Sequence, residues 1–264
     1  MNLLIIVSII SILGFGFVFR DKFFRKKWIL PTEEIPSEWR KIISEKVAFY
    51  RTLDAEEKKR FEYKVQNFIL NYKITAIDVD VDLSDKLLVA SSAVIPIFAF
   101  DDWQYLNLQE VLIYPATFNT SFETAGADRS IMGMVGGAYL EGKMIISISA
   151  LRQGFSNETD KKNTAIHEFV HLIDKLDGST DGIPRILLEK QYVIPWIDLI
   201  NKEYEKLFDK RSDINPYAGT NKGEFFAVIS EYFFERPELF DKNHPELFAL
   251  MEQIFKSPAV KKSR

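Results

Sequence analysis

The nine residues from Ile166 to Asp174 read IHEFVHLID and contain an H-E-x-x-H motif inside an otherwise apolar run. On an α-helix, side chains four residues apart lie one turn above each other on nearly the same face. His167 and His171 can therefore direct imidazole nitrogens at one cation, with Glu168 beside them. The motif predicts a catalytic zinc site on a buried helix, with Glu168 as the general base that deprotonates a zinc-activated water.

A surface helix with incidental histidines is the alternative interpretation of this stretch. The apolar residues of the run argue against it, because they would bury the helix on most of its surface: Phe169, Val170, Leu172 and Ile173. Buried imidazoles need partners, and a metal ion is one such partner. The pattern therefore favours a metal site, with one Zn²⁺ expected per chain.

Composition limits the other classes of function. The 264 residues suffice for one sizeable core, and the formal net charge of -4 gives no reason to expect a nucleic-acid partner. The chain has no cysteine, which excludes disulfides and cysteine-ligated metal. A peptide or protein substrate remains compatible with this composition.

The N-terminus contains an uncharged apolar run over residues 3–19, followed by five basic residues: Arg20, Lys22, Arg25, Lys26 and Lys27. The run is at the short end for a membrane-spanning helix. Because the basic residues follow it, the positive-inside rule places the remainder in the cytoplasm. We predict a membrane anchor with its basic flank over residues 1–27 and a zinc metallopeptidase domain over 28–264. The alternative is a cleaved signal peptide and export.

The rest of the chain is predicted to combine many helices with a few short strands. Helices are predicted over 37–53, 55–72 with Asp54 as N-cap, 84–100, 160–176, 187–207, 222–234 and 245–255. Strands are predicted over 74–81 and 110–114, with a hairpin that turns at Glu141-Gly142 into a second strand over 143–149. Asn157 or Thr159 is predicted to cap the motif helix, and Pro96 and Pro195 are predicted to interrupt theirs.

Two histidines need a third protein ligand, and the helix GEFFAVISEYFFE supplies carboxylates for it. Glu224 and Glu231 lie nearly two turns apart and share one face of a helix that is apolar almost all round. A buried carboxylate is costly unless it is paired or bound to metal. Spacing alone does not choose between the two. His244 precedes Pro245 in a polar turn and is predicted to be exposed.

Four separated stretches resemble known metallopeptidases. The run from Tyr217 to Ala227 is similar to a segment of the catalytic domain of anthrax lethal factor, where a tyrosine lies seven residues before a zinc-binding glutamate. The soluble part as a whole resembles the Mlc titration factor A family of zinc peptidases through EVLIYPATF, IHEFVHLID, INPYAGT and EFFAVISEYFF, at residues 110–118, 166–174, 214–220 and 224–234.

This resemblance implies an α+β fold of the zincin type, with His167, His171 and Glu224 as zinc ligands. It also implies Glu168 as the base and Tyr217 as the donor that stabilises an oxyanion. The family's association with a transcriptional repressor is a partner that we do not carry over, because the apolar leader departs from the soluble members.

Two further carboxylates are predicted to orient a ligand imidazole by accepting a hydrogen bond from it, namely Glu231 and Asp174; a plain structural ion pair is the alternative for both. The predicted function is zinc-dependent hydrolysis of peptide bonds. A regulatory protein-binding module with a structural or vestigial zinc site is the alternative.

Overall fold

The computed structural model describes residues 27–126, 128–136, 140–157, 160–208 and 212–256. The chain divides into two compact units, Met1–Leu30 and Pro31–Arg264. Only residues 27–30 of the first unit are described, so the predicted anchor over residues 3–19 lies outside the described residues. None of the helices within the described ranges is both long enough and apolar enough to cross a membrane.

The second unit combines helices with one small sheet, which confirms a mixed α and β protein. In chain order, the helices are α1 (Ser37–Lys46), α2 (Ala48–Thr52), α3 (Ala55–Asn71), α4 (Leu83–Ile97), α5 (Ile148–Ser156), α6 (Thr164–Asp174), α7 (Val193–Phe208), α8 (Lys222–Glu235), α9 (Pro237–Asn243) and α10 (Pro245–Phe255). Single 3₁₀ turns span Lys175–Asp177, Lys190–Tyr192 and Pro216–Gly219.

Within the described residues, the sheet contains four strands: β1 (Lys73–Ala76), β2 (Leu108–Tyr114), β3 (Gly133–Val135) and β4 (Gly142–Ser147). Their order across the sheet is β1-β2-β4-β3. The pairs β1-β2 and β2-β4 are parallel, whereas β3 is antiparallel to β4. The antiparallel strand β3 therefore forms one edge of the sheet, and it contacts α6.

Helix α6 lies at the centre of the second unit. It packs against α8, α4 and α5 and against strands β3 and β4. Phe169 on α6 is fully buried and packs edge-on against Phe68 and at a tilt against Tyr105. This burial agrees with the apolar run around the H-E-x-x-H motif, and it fixes the helix that carries both histidines.

Several predicted elements are confirmed with small shifts at their ends. The helix after Asp54 begins at the predicted N-cap and forms a capping box there, because the Asp54 carboxylate accepts from the amide of Glu57 and the Glu57 carboxylate accepts from the amide of Asp54. The last two long helices and strand β2 occur where the pattern placed them. Strand β1 is shorter than predicted, and the predicted helix over 37–53 is divided at Val47 into α1 and α2.

Other predictions were wrong. The second strand of the predicted hairpin occurs as β4 and is antiparallel to the strand before it, but that strand is β3, which ends at Val135, and Gly142 belongs to β4 instead of to the turn. Strand β3 has only three residues, which are too few to show the alternation of apolar and polar residues that predicts a strand. Pro195 lies in the first turn of α7, where a missing N–H leaves no bond unmade, so it does not kink the helix.

Candidate metal centre

The two motif histidines lie on α6, which begins later than predicted. Its N-cap is Asn163, whose side-chain oxygen accepts from the amide of Ile166 at 3.2 Å; the prediction of Asn157 or Thr159 was wrong. Lys161, two residues earlier, has a positive φ of 62°, a left-handed conformation that excludes it from the helix. Both imidazoles are buried, and their Nε2 atoms lie 3.0 Å apart.

Glu224 approaches the same point from α8. The side-chain oxygen of Asn221 caps this helix by accepting from the Glu224 amide at 2.9 Å. The Glu224 Oε2 atom lies 2.9 Å from His167 Nε2 and 3.4 Å from His171 Nε2. The packing of α8 against α6 therefore brings together two imidazole nitrogens and one carboxylate oxygen from distant parts of the chain.

The donor set formed by His167, His171 and Glu224 fits a metal ion. Ligand atoms around a tetrahedral ion with bonds of about 2.0–2.1 Å lie roughly 3.4 Å apart, and the three distances here are 2.9, 3.0 and 3.4 Å. The electrostatics of the site also favour a bound cation. Burial lowers the pKa of His167, but the Glu231 and Glu224 carboxylates outweigh burial and raise the pKa to about 10. The site thus favours positive charge, and these three residues could hold a metal ion.

Glu231 contacts the far side of His167. Its Oε1 atom lies 2.7 Å from His167 Nδ1, and its Oε2 atom accepts from the backbone amide of Asn163 at 2.6 Å. In the neutral imidazole that a metal would bind, this contact favours a proton on Nδ1, which leaves the Nε2 lone pair for the metal. The structure thus separates two glutamates that the spacing left equivalent, with Glu224 among the donor atoms and Glu231 behind one imidazole.

Asp174 does not contact a histidine in the way that the sequence predicted. Its Oδ2 atom accepts from the backbone amide of Gly182 at 2.9 Å, and this bond stabilises the turn after α6. Its Oδ1 atom and His171 Nδ1 are both buried without a hydrogen-bond partner in the described part of the chain. Burial raises the pKa of Asp174 to about 6. Asp174 therefore stabilises the turn and makes no hydrogen bond to His171.

Glu168 is buried beside the donor set, with an exposed fraction of 5%. Burial raises the pKa of its carboxyl group, His167 and His171 oppose this, and the resulting pKa is about 6. Its carboxylate lies against the backbone of Gly133 on the edge strand β3. A carboxyl group with this pKa can accept and return a proton near neutral pH.

Tyr217 lies on the 3₁₀ turn Pro216–Gly219, where its amide donates to the side chain of Asn215 at 3.1 Å. The residue is 53% exposed, and its ring centroid is 6.1 Å from that of His167. Partial burial and then the carboxylates of Glu224 and Glu168 raise the pKa of the phenol, so Tyr217 keeps its proton at neutral pH. The side chain is thus a hydrogen-bond donor at the rim of the site.

Asp213, which sequence reasoning missed, fixes the segment that leads to Tyr217. Its carboxylate accepts hydrogen bonds from Lys161 at 2.6 Å, Tyr232 at 2.7 Å and His244 at 2.7 Å. His244 is buried by this contact, so the prediction of an exposed His244 was wrong. No local pattern signals these partners. The N-cap Asn163, by contrast, had a signal, because asparagine immediately before an amphipathic run is a preferred cap.

Several residues of the site line one cleft with a volume of about 460 Å³. Its walls come from the edge strand and the segment before it, the start of α6, the Tyr217 turn and α8; they are Ser130, Ile131, Met132, Gly133, Lys162, Thr164, His167, Glu168, Asn215, Tyr217 and Glu231. The predicted base and the predicted oxyanion donor therefore open onto a common space next to the donor set.

Comparison with known protein families identifies the family of this chain. The family model described as glucose-regulated metallo-peptidase M90 matches residues 21–256. The chain belongs to this family. The M90 match covers both the H-E-x-x-H helix and the helix that carries Glu224 and Glu231, so the whole candidate metal centre lies within it.

Three relatives of this M90 chain are informative. An uncharacterized protein of Synechocystis sp. is 26% identical over 84% of this chain and 84% of its own. Mlc titration factor A of Escherichia fergusonii is 26% identical over 87% of this chain and 91% of its own. Mlc titration factor A of Salmonella arizonae is 27% identical over 80% and 88%. The resemblance to the Mlc titration factor A family is therefore confirmed.

Proposed function

We propose that this chain is a zinc-dependent peptidase of the zincin type, with His167, His171 and Glu224 as the zinc ligands. The observation that carries the proposal is the convergence of these three donor atoms, with His167 and the buried Glu168 lining one cleft beside them. Two imidazoles and one carboxylate with a position left open are one of the ligand sets of catalytic zinc in proteins. The description of the M90 family as metallo-peptidases supports the same reaction class.

Bound zinc would polarise the scissile carbonyl and lower the pKa of the attacking water. Glu168 takes the proton from that water and later delivers it to the leaving amine. Tyr217 donates a hydrogen bond to the oxygen on which negative charge develops. Glu231 holds the His167 ring in the orientation that presents Nε2.

The edge of the sheet suggests how a peptide substrate would lie. The Met132 carbonyl accepts from the Ser147 amide at 2.8 Å, and Met134 is in register with β4. In an antiparallel pair, alternate residues direct both backbone groups at the partner strand. Gly133 and Val135 therefore direct their backbone groups away from β4, at the open edge.

Phe118 already pairs with Ile131 at the start of this edge, so the open stretch begins at Gly133. An extended peptide can add to such an edge through main-chain hydrogen bonds. Because Glu168 lies against Gly133, a peptide bound there would pass beside the proposed base. This geometry favours extended peptides or unfolded segments as substrates.

The proposal is tested by digesting a peptide library with the full-length chain, purified without chelator, and reading the products by mass spectrometry. We expect cleavage that a chelator abolishes and that added Zn²⁺ restores. Peptides that remain intact under all three conditions would contradict the peptidase assignment, and cleavage that is indifferent to the chelator would contradict the zinc assignment.

A regulatory binding role is the second candidate, and the names of the relatives favour it. Two of them are called Mlc titration factor A, and the name refers to the titration of Mlc. By likeness, this chain could bind a regulatory protein instead of cleaving one. A binder would retain its partner after Glu168→Gln and would show no turnover in either form, which separates it from the peptidase.

A further inference from the structure

We infer that Gly133 is a positioning residue for the proposed general base: the bare backbone of the edge strand holds the Glu168 carboxylate in its catalytic orientation. This inference rests on the proposed function for its catalytic meaning, but the contact itself does not. Gly133 belongs to β3, and Glu168 belongs to α6, 35 positions further along the chain.

The contact leaves no room for a Cβ atom unless Glu168 moves. A Cβ atom built on Gly133 would lie 2.6 Å from Glu168 Oε1, 2.7 Å from Cγ and 2.9 Å from Cδ, and all three distances are shorter than real Cβ contacts. The Gly133 backbone does not have the left-handed conformation that by itself favours glycine. Glycine is therefore required here because of the Glu168 side chain, and not because the backbone forms a turn.

The strand cannot move away to relieve such an overlap. Gly133 is in register with Ile146 on β4, and Ile146 is fully buried. The neighbouring Met132 carbonyl accepts from the Ser147 amide at 2.8 Å. Moving the strand outward would break these antiparallel contacts, so the Glu168 side chain would have to give way instead.

Glu168 has little room to move without losing its function. Its α-carbon is fixed by a helix that packs against three helices and two strands, and the residue is buried. A misplacement of about 1 Å in a catalytic group can lower a rate by roughly 100-fold. Glycine at position 133 therefore allows the carboxylate to lie flat against the strand, close to the donor set.

The direction of the missing side chain separates this role from substrate binding. Side chains in a strand project from the faces of a sheet, whereas backbone groups lie in its plane. The Gly133 Cβ position points at α6, on the face of the sheet, so an alanine there would leave the open edge free. We therefore expect Gly133→Ala to lower kcat and to change KM little.

The contact is tested first without metal or substrate, by a double-mutant cycle on the Tm of the metal-free, full-length chain. Gly133→Ala should lower Tm by a few degrees in the wild-type background and by less than about 1 °C in the Glu168→Ala background, where the overlap is gone. Equal shifts in the two backgrounds, including no shift in either, would overturn the inference.

Gly219→Ala is the matched control. Of the glycines in the described residues, Gly219 has ordinary backbone geometry and no atom within 4 Å of an added Cβ. It should show no coupling to Glu168→Ala. If Gly133→Ala alone does not fold, the double variant Gly133→Ala with Glu168→Ala should fold, and its failure to do so would also overturn the inference.

The second measurement is kinetic. Gly133→Ala should lower kcat by about 100-fold, with zinc content unchanged and KM within a few-fold of wild type. A wild-type kcat in this variant would overturn the positioning role. If wild type shows no cleavage at all, the proposed function fails, whereas the Tm cycle still decides whether the contact holds Glu168.

Discussion

Glu231 Oε1 and His167 Nδ1 lie 2.7 Å apart, while the other carboxylate oxygen of Glu231 accepts from the amide of Asn163. One side chain on α8 therefore fixes both the start of α6 and the imidazole one turn further along it. Glu224, seven residues before Glu231 on the same helix, meets the opposite nitrogen of that ring. The two helices hold His167 between two carboxylates, only one of which lies in the donor set.

The first prediction follows from this difference between the two glutamates. Glu224→Ala removes a proposed ligand and should lower zinc affinity by more than roughly 100-fold, whereas Glu231→Ala removes only an orienting contact and should lower it by about 10–100-fold. Competition with a chromophoric chelator measures both. Glu235→Ala, one turn beyond Glu231, is the control outside the donor set, because Glu235 contacts the Asn163 side chain. The reverse ranking of the two glutamates would show that their roles are exchanged.

The second prediction concerns Tyr217 at the rim of the cleft. Tyr217→Phe removes the phenolic donor but keeps the ring, so zinc content and Tm should stay close to wild type while kcat falls by about 10²–10³-fold. Tyr63 is also a large exposed tyrosine and provides the control as Tyr63→Phe. A full wild-type rate in Tyr217→Phe would exclude an oxyanion role for this residue.

The third prediction is a pH dependence remote from the metal centre. Burial, and then the charge of Arg60, lowers the pKa of Lys64 from 10.5 to about 8, and its ammonium group donates to the Phe100 and Asp101 carbonyls. Between pH 8 and 10.5, Lys64 therefore carries its proton more often in the unfolded chain than in the folded chain. The contribution of Lys64 to the free energy of unfolding must rise with pH across that window and be lost again as pH falls through 8.

Lys64→Met should remove this slope. Denaturant unfolding at several values between pH 8 and 10 measures the difference between variant and wild type, which cancels the titration of all other groups. Lys41→Met, at an exposed lysine, gives the matched control for the loss of one lysine side chain. A difference between Lys64→Met and wild type that is constant over this range would contradict the shifted pKa.

The sequence predicted much of the site because its signals are local. The H-E-x-x-H spacing needs only one helix, and the apolar residues around it show that the helix is buried. Glu224 and Glu231 remained equivalent because both lie on one face of one helix, and only the packing of α8 on α6 distinguishes them. A resemblance to a family was needed to choose between them.

Other parts of the site depend on contacts between distant segments, for which a single sequence carries no signal. Gly133 is one glycine in a three-residue strand, and nothing near it indicates that Glu168 lies on its backbone. His244 precedes a proline in a polar stretch, yet Asp213 buries it from 31 residues away. Local composition describes exposure on average, and here a specific hydrogen bond decides it.

The fourth prediction concerns the N-terminal run over residues 3–19. If it is an uncleaved anchor with the remainder in the cytoplasm, full-length protein should pellet with membranes, and a reporter fused after Arg264 should be active in the cytoplasm. A version that begins at residue 28 is the control and should stay in the supernatant. A shortened protein recovered outside the cytoplasm would establish a cleaved signal peptide instead.

The most direct test of the proposed chemistry is Glu168→Gln, measured for peptide hydrolysis and zinc content in the same preparation. Glutamine keeps the size of the side chain but cannot take a proton. We expect zinc content and Tm close to wild type and hydrolysis lower by about 10²–10⁴-fold, the usual contribution of a general base. Equal hydrolysis by zinc-loaded wild type and Glu168→Gln would contradict the assignment of Glu168 as the base.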